Sequence, residues 1–76
     1  MPLSVALDIL KASYRAQSAW LLASAVELEV GDARLLRRLE GKEVDVSAQT
    51  AIDYRHRAAN LELIIQSYER LDAERS

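Results

Sequence analysis

Along the first part of the chain, Leu3, Leu7, Leu10, Tyr14, Gln17, Leu21, Ser24 and Leu28 step by alternating fours and threes. Such a series keeps returning to one side of an α-helix, so it predicts a helix over about residues 4–29 that seeks a helical neighbour. Ser4 is placed to cap it, with Pro2 and Leu3 just outside. Ala12, Ala16, Ala19 and Ala23 widen the stripe with side chains small enough for a second helix to come close. Gln17 and Ser24 interrupt it, which argues against a strict coiled coil. Asp8, Lys11, Arg15 and Ser18 trace a polar face whose next member is Leu22, with Trp20 at the boundary. Trp20 and Leu22 are therefore either core residues of a helix buried on most sides or an anchor pair for a partner, tryptophan being enriched at binding hot spots.

The most regular amphipathic pattern lies at residues 58–71, where Leu61, Ile64, Ile65, Tyr68 and Leu71 oppose Glu62, Gln66, Glu69 and Arg70. Between the two patterns, Gly31-Asp32 marks a kink or restart, since glycine weakens a helix and aspartate caps one. Residues 33–40 then predict a short helix with Leu35, Leu36 and Leu39 inward and Arg34, Arg37 and Arg38 outward, ended by Gly41 and Lys42. Residues 43–57 fit two patterns. Val44, Val46, Ile52 and Tyr54 alternate with acids and an arginine as two strands would, although the join lacks the Gly, Asn or Asp of a tight hairpin. A helix with Ser47 as N-cap, running to about residue 73, instead gathers Ala51, Tyr54, Ala58, Leu61, Ile65 and Tyr68 on one face. The expected fold is mainly α: a single small helical domain over 1–76, with long antiparallel helices at about 4–29 and 47–73 and a short helix at 33–40. An α+β fold with a β-hairpin at 43–55 is the alternative.

Composition adds a constraint. A chain of 76 residues buries only about 60% of its unfolded surface, so its core is thin without a staple or a partner. It has no cysteine for a disulfide and one histidine, too few for a metal site. The apolar share is leucine and alanine, with no phenylalanine, and Pro2 is the only proline. These residues favour helix and point to completion by self-association or by another protein. The N-terminus lacks a basic region ahead of an apolar stretch, and the apolar run at residues 19–23 is far shorter than the ~20 residues of a membrane helix. The cytoplasm is the expected location, and no membrane partner is expected.

Net charge is −2, which argues against a general nucleic-acid binder, but the distribution is uneven. Arg34, Arg37, Arg38, Lys42, Arg55 and Arg57 make the middle mildly basic between acidic ends, a pattern suited to contacts between subunits. Arg34, Arg37, Arg38 and Lys42 could grip phosphates, pair with acids of a neighbouring protein, or keep a short helix solvated. His56 sits between Arg55 and Arg57 with no nucleophile at a catalytic spacing. Glu27 and Glu29 point in different directions on a helix, so their cluster with Asp32 reads as solvated surface. No glycine-rich phosphate loop, aromatic stacking platform or zinc spacing is present. The residues supply no enzyme and call for no cofactor.

Residues 39–46 (LEGKEVDV), 52–54 (IDY) and 58–65 (AANLELII) carry a resemblance. Over roughly residues 33–70 the chain resembles the lambda-type head-to-tail joining proteins of tailed bacteriophages, the gpW-like family. That family runs from a helix ending in a Gly-Lys pair into a β-hairpin and then a second helix, and its members sit as a ring beneath the portal. The resemblance implies a virion-assembly role, a location in the virion, and ring or portal contacts through Arg34, Arg37, Arg38 and Lys42. The chain departs from it by about twenty extra N-terminal residues and by a join between Val46 and Ile52 without glycine. In architecture alone the chain is also similar to the small helical-hairpin co-chaperones of type III secretion. The expected function is a non-enzymatic oligomeric adaptor that binds itself or a portal or tail component. Its interaction residues would be Trp20, Leu22, Arg34, Arg37, Arg38 and Lys42. A co-chaperone or inhibitor is the first alternative and a small DNA-binding regulator the second.

Overall fold

A computed structural model describes residues 3–75. Its elements run α1 (Leu3–Val30), β1 (Leu36–Leu39), β2 (Lys42–Asp45) and α2 (Ser47–Arg75). The helices lie antiparallel along each other, and the strands form a two-stranded antiparallel hairpin at one end. The result is a rod of 55 × 24 × 17 Å. Its radius of gyration is 16.9 Å, where a compact chain of this length has about 11 Å.

The buried seam of α2 follows the series predicted from Ala51 to Tyr68, while Ile64 and Leu71 of the 58–71 pattern stay exposed. Ala51, Ala58 and Ile65 are buried, and Tyr54, Leu61 and Tyr68 are half-buried between them. On α1, Leu7, Tyr14, Leu21 and Leu28 take the expected places, but the alternate positions are shifted by one residue. Lys11, Ser18 and Ala25 fill the seam where Leu10, Gln17 and Ser24 were expected. Two members of the expected polar face, Lys11 and Ser18, are thus interior. Ser18 fits because the seam is narrow: with Ala25, Ala51 and Ala58 it keeps the helix axes close, and helices packed on small residues approach to about 8 Å. Lys11 fits because its stem is covered while its ammonium reaches Asp72 at 2.8 Å and Asp8 at 3.6 Å.

Charges on one flank set the alignment. Arg15 pairs with Glu69 at 2.5 Å, and Arg55 grips Glu29 with two hydrogen bonds of 2.6 and 2.7 Å. The sign pattern reverses from one end to the other, so these contacts pair α1 and α2 head to tail. Within the seam the Tyr14 and Tyr68 rings stack in parallel, 6.1 Å apart.

The region between the helices corrects two expectations. Gly31 ends α1 rather than restarting it: its φ of 85° turns the chain back, and the Ala33 amide donates to the Glu27 carbonyl. The helix expected at 33–40 is replaced by β1 and the turn after it. The hairpin lies at 36–45, not 43–55, because Ile52 and Tyr54 belong to α2. Leu39 and Lys42 close a two-residue turn in which Glu40 and Gly41 both have positive φ, 51° and 80°. That is the geometry whose twist matches paired strands. Gly41 therefore completes a hairpin turn, where a helix end had been expected.

Ser47 begins α2 as expected, but the capping roles are exchanged. The Asp45 carboxylate accepts from the Ser47 amide at 2.9 Å, while the Ser47 hydroxyl accepts from the Leu35 amide at 2.8 Å. The Val46 amide also donates to the Leu35 carbonyl at 2.9 Å, extending the ladder. Hairpin and helix are thereby fastened at a single corner.

Candidate protein-interaction surface

Pairing within the hairpin decides where the basic residues go. Strand side chains alternate between faces, so Arg38 shares a face with Glu43 and Asp45, and Arg37 shares the other with Lys42 and Val44. The continuous basic face expected of a helix is therefore divided between two sides of a ribbon. Arg34 is engaged: its guanidinium holds the Asp45 carboxylate at 2.6 and 3.2 Å. Hydrogen bonds from the hydroxyl and amide of Ser47, joined by this guanidinium, lower the Asp45 pKa from 3.8 to about 2. Arg37, Arg38 and Lys42 stay exposed.

Other charges on the rod are bound up in holding it together. Hydrogen bonding to Asp72 raises the pKa of Lys11 against the opposing effect of desolvation. Hydrogen bonding between Arg55 and Glu29 lowers the pKa of Glu29 and raises that of Arg55. Glu29, considered above as part of an acidic cluster, and Glu69 are thus engaged between the helices. His56 lies exposed on the outer side of α2.

Trp20 is 61% exposed and Leu22 40% exposed. Two residues apart on a helix, they point about 160° away from each other, so they do not form one anchor. The Trp20 ring meets Tyr54 at 5.6 Å in a tilted contact, and the Arg57 guanidinium lies 6.0 Å from the centre of the same Tyr54 ring. Next to them a groove of about 600 Å³ opens between the helices, walled by Gln17, Trp20, Arg57 and Asn60 over Leu21 and Leu61.

No family model, curated protein or solved structure matches the chain. Its surface has to be read from its own chemistry. Among the described residues, no group of three or more His, Cys, Asp or Glu is placed to hold a metal ion, and no helix is long and apolar enough to cross a membrane.

What lies between Trp20 and Leu22 matters more than either residue. Val5, Ile9, Ala12, Ala16, Ala19, Ala23, Val26 and Val30 are all exposed, on the side of α1 turned away from α2. They step by alternating fours and threes, as the buried seam does, and contain no polar side chain. Trp20 borders this stripe on one flank and Leu22 on the other. Sequence reasoning singled out its alanines but assigned them to the α2-facing stripe, and it missed Val5, Ile9, Val26 and Val30. A second series at the same spacing was the signal that could have found them.

Proposed function

We propose that this protein is a non-enzymatic adaptor that acts by associating with protein surfaces. The observation that carries this reading is its exposed area. The chain exposes 5706 Å², about 1,000 Å² more than a compact monomer of its mass. That surplus compares with the roughly 800 Å² that each partner contributes to a standard interface. Much of it is aliphatic and aromatic surface on α1, where solvated helices carry charge.

In its finer form, the adaptor is a connector subunit between the head and tail of a tailed phage, assembling with itself and with a portal or tail component. What supports this is a β-hairpin followed by a long helix within the stretch that carries the head-to-tail joining resemblance, although the helix which that resemblance implies ahead of Gly41-Lys42 is absent and the pair lies in the hairpin turn. Arg37, Arg38 and Lys42, exposed on both faces of the hairpin, are the residues offered to an acidic neighbour. The test is light scattering and sedimentation of the full chain alone and with portal and tail proteins. A large discrete complex supports the connector, and Arg37→Glu should weaken it while leaving the helical circular dichroism intact. A chain that joins neither component refutes the connector reading.

The groove beside Trp20 favours a second reading, a co-chaperone or inhibitor that takes one apolar side chain of a single client. Trp20→Ala would then abolish client binding without unfolding the rod.

A further inference from the structure

The outer stripe of α1 has a symmetry that the seam against α2 lacks. Read from its two ends inward, Val5 matches Val30, Ile9 matches Val26, Ala12 matches Ala23, and Ala16 matches Ala19. Each pair is centred on the same point between Gln17 and Ser18. β-branched side chains stand at both ends and alanines in the middle. A helix laid antiparallel on a copy of itself brings those pairs opposite one another, layer by layer. A parallel pair would have no use for the palindrome, because there each residue meets its own copy.

We infer that the outer face of α1 binds a second copy of this chain, α1 against α1 and antiparallel, making a four-helix rod with the α2 helices outermost. The inference rests on the association reading above and names the partner for this one face. Four features support it. The stripe carries no charge, so a second uncharged stripe is its electrostatic complement, and burying it desolvates no ion. The central alanines let the axes approach closely enough for the end valines and isoleucine to meet. Covering the stripe with its flanking Trp20 and Leu22 on both copies removes on the order of 1,200 Å² in total, the threshold of a specific interface. Antiparallel pairing also places the two β-hairpins at opposite ends of the rod, where they cannot collide.

The experiment compares the full chain with two matched variants by sedimentation across a wide concentration range. Ala19→Glu puts a carboxylate in the middle of the stripe. Ala59→Glu puts one at the corresponding exposed position on the outer side of α2. The wild type and Ala59→Glu should be dimers that persist in high salt, the interface being uncharged. Ala19→Glu should raise the dissociation constant on the order of a hundredfold while keeping the helical circular dichroism. Alignment is read by cysteine cross-linking, the chain having none of its own. A mixture of Ile9→Cys and Val26→Cys chains should give a disulfide-linked heterodimer, and neither variant alone should cross-link. Cross-linking of each variant to itself overturns the antiparallel arrangement, and a dimer indifferent to Ala19→Glu overturns the site. A wild-type monomer that binds an apolar dye, and loses that binding on Ala19→Glu, overturns self-pairing yet leaves association with another protein standing. A monomer that binds no dye overturns both.

Discussion

The two helices are nearly equal in length, 28 and 29 residues, and face each other through seams with the same spacing, yet their outer sides differ. On α2 the positions equivalent to the α1 stripe hold Gln49, Ile52, His56, Ala59, Leu63, Gln66 and Arg70, a mixture that water solvates. On α1 they hold only alanine, valine and isoleucine. Helical periodicity reports that a face is apolar without saying which neighbour covers it. Here α2 is amphipathic with one covered side, whereas α1 is apolar on two sides and has a neighbour inside the chain for one of them. The asymmetry makes α2 the solvent-facing helix and α1 the helix between two partners.

The largest test of this contrast is to damage the seam that both helices share. Ile65 is 2% exposed at its centre. Ile65→Asp buries an unpaired carboxylate, costs more than about 3 kcal/mol and should unfold a chain with so thin a core. Circular dichroism checks it: a helical, cooperatively melting Ile65→Asp chain would mean that the seam is not the core. Against that outcome, Ala19→Glu and Ala59→Glu should each change the melting of the isolated chain by only about 0.5 kcal/mol, as exposed substitutions do. The seam is then distinguished from both outer sides by folding, and the outer sides from each other by assembly.

At the hairpin the effects are smaller and concern backbone conformation. Nothing lies within 4 Å of a methyl group added at Gly41, so Gly41→Ala tests the positive φ alone and should cost about 1 kcal/mol. Glu40 adopts φ 51° without being glycine. Glu40→Asn should therefore stabilise the turn by about 0.5 kcal/mol, and urea titration of both variants would expose a wrong turn assignment if the signs came out reversed. Asp45 adds a pH dependence. Its pKa is depressed on folding from 3.8 to about 2, so its contribution is complete above the higher value and fades as pH falls toward the lower one. Asp45→Asn should melt below the wild type at pH 5, with the gap closing at pH 2. An equal gap at both would show that the carboxylate does not hold the corner.

These features also mark how far the sequence could be read. Both long helices were legible from helical spacing, and on α2 the unbroken series from Ala51 to Tyr68 marked the seam, although the start of α2 also fitted a strand pattern. The α1 seam was misplaced by one residue at alternate positions, since Leu10 is apolar and Lys11 is not. Only the tertiary contact with Asp72 makes Lys11 an interior residue. The hairpin was expected only as the alternative and at 43–55 rather than 36–45, because Leu36, Arg37, Arg38 and Leu39 are good helix formers and Glu-Gly is a poor signature for its turn. Contacts distant in sequence, from Asp45 and Ser47 back to Arg34 and Leu35, hold that segment extended. Of the expected interaction residues, Trp20 and Leu22 now border one apolar stripe, while the basic residues are distributed over the ribbon.

The smallest expected effect asks why α2 takes the inner face of α1 and leaves the outer stripe open. Hydrophobicity does not explain the choice, since the inner seam contains Lys11 and Ser18 while the outer stripe is wholly aliphatic. The charges do. Arg55 and Glu69 find Glu29 and Arg15 on the flank of the inner seam, and Asp72 finds Lys11 within it. Ion pairs along such a seam are individually weak, small against total stability but enough to bias the choice between two faces of one helix. Arg15→Glu should thus cost about 0.5 kcal/mol, and adding Glu69→Arg should recover most of it, as a double-mutant cycle read by urea denaturation. Zero coupling in that cycle would remove charge as the selector and leave the small residues Ser18, Ala25, Ala51 and Ala58, through shape alone, to direct α2 to its side.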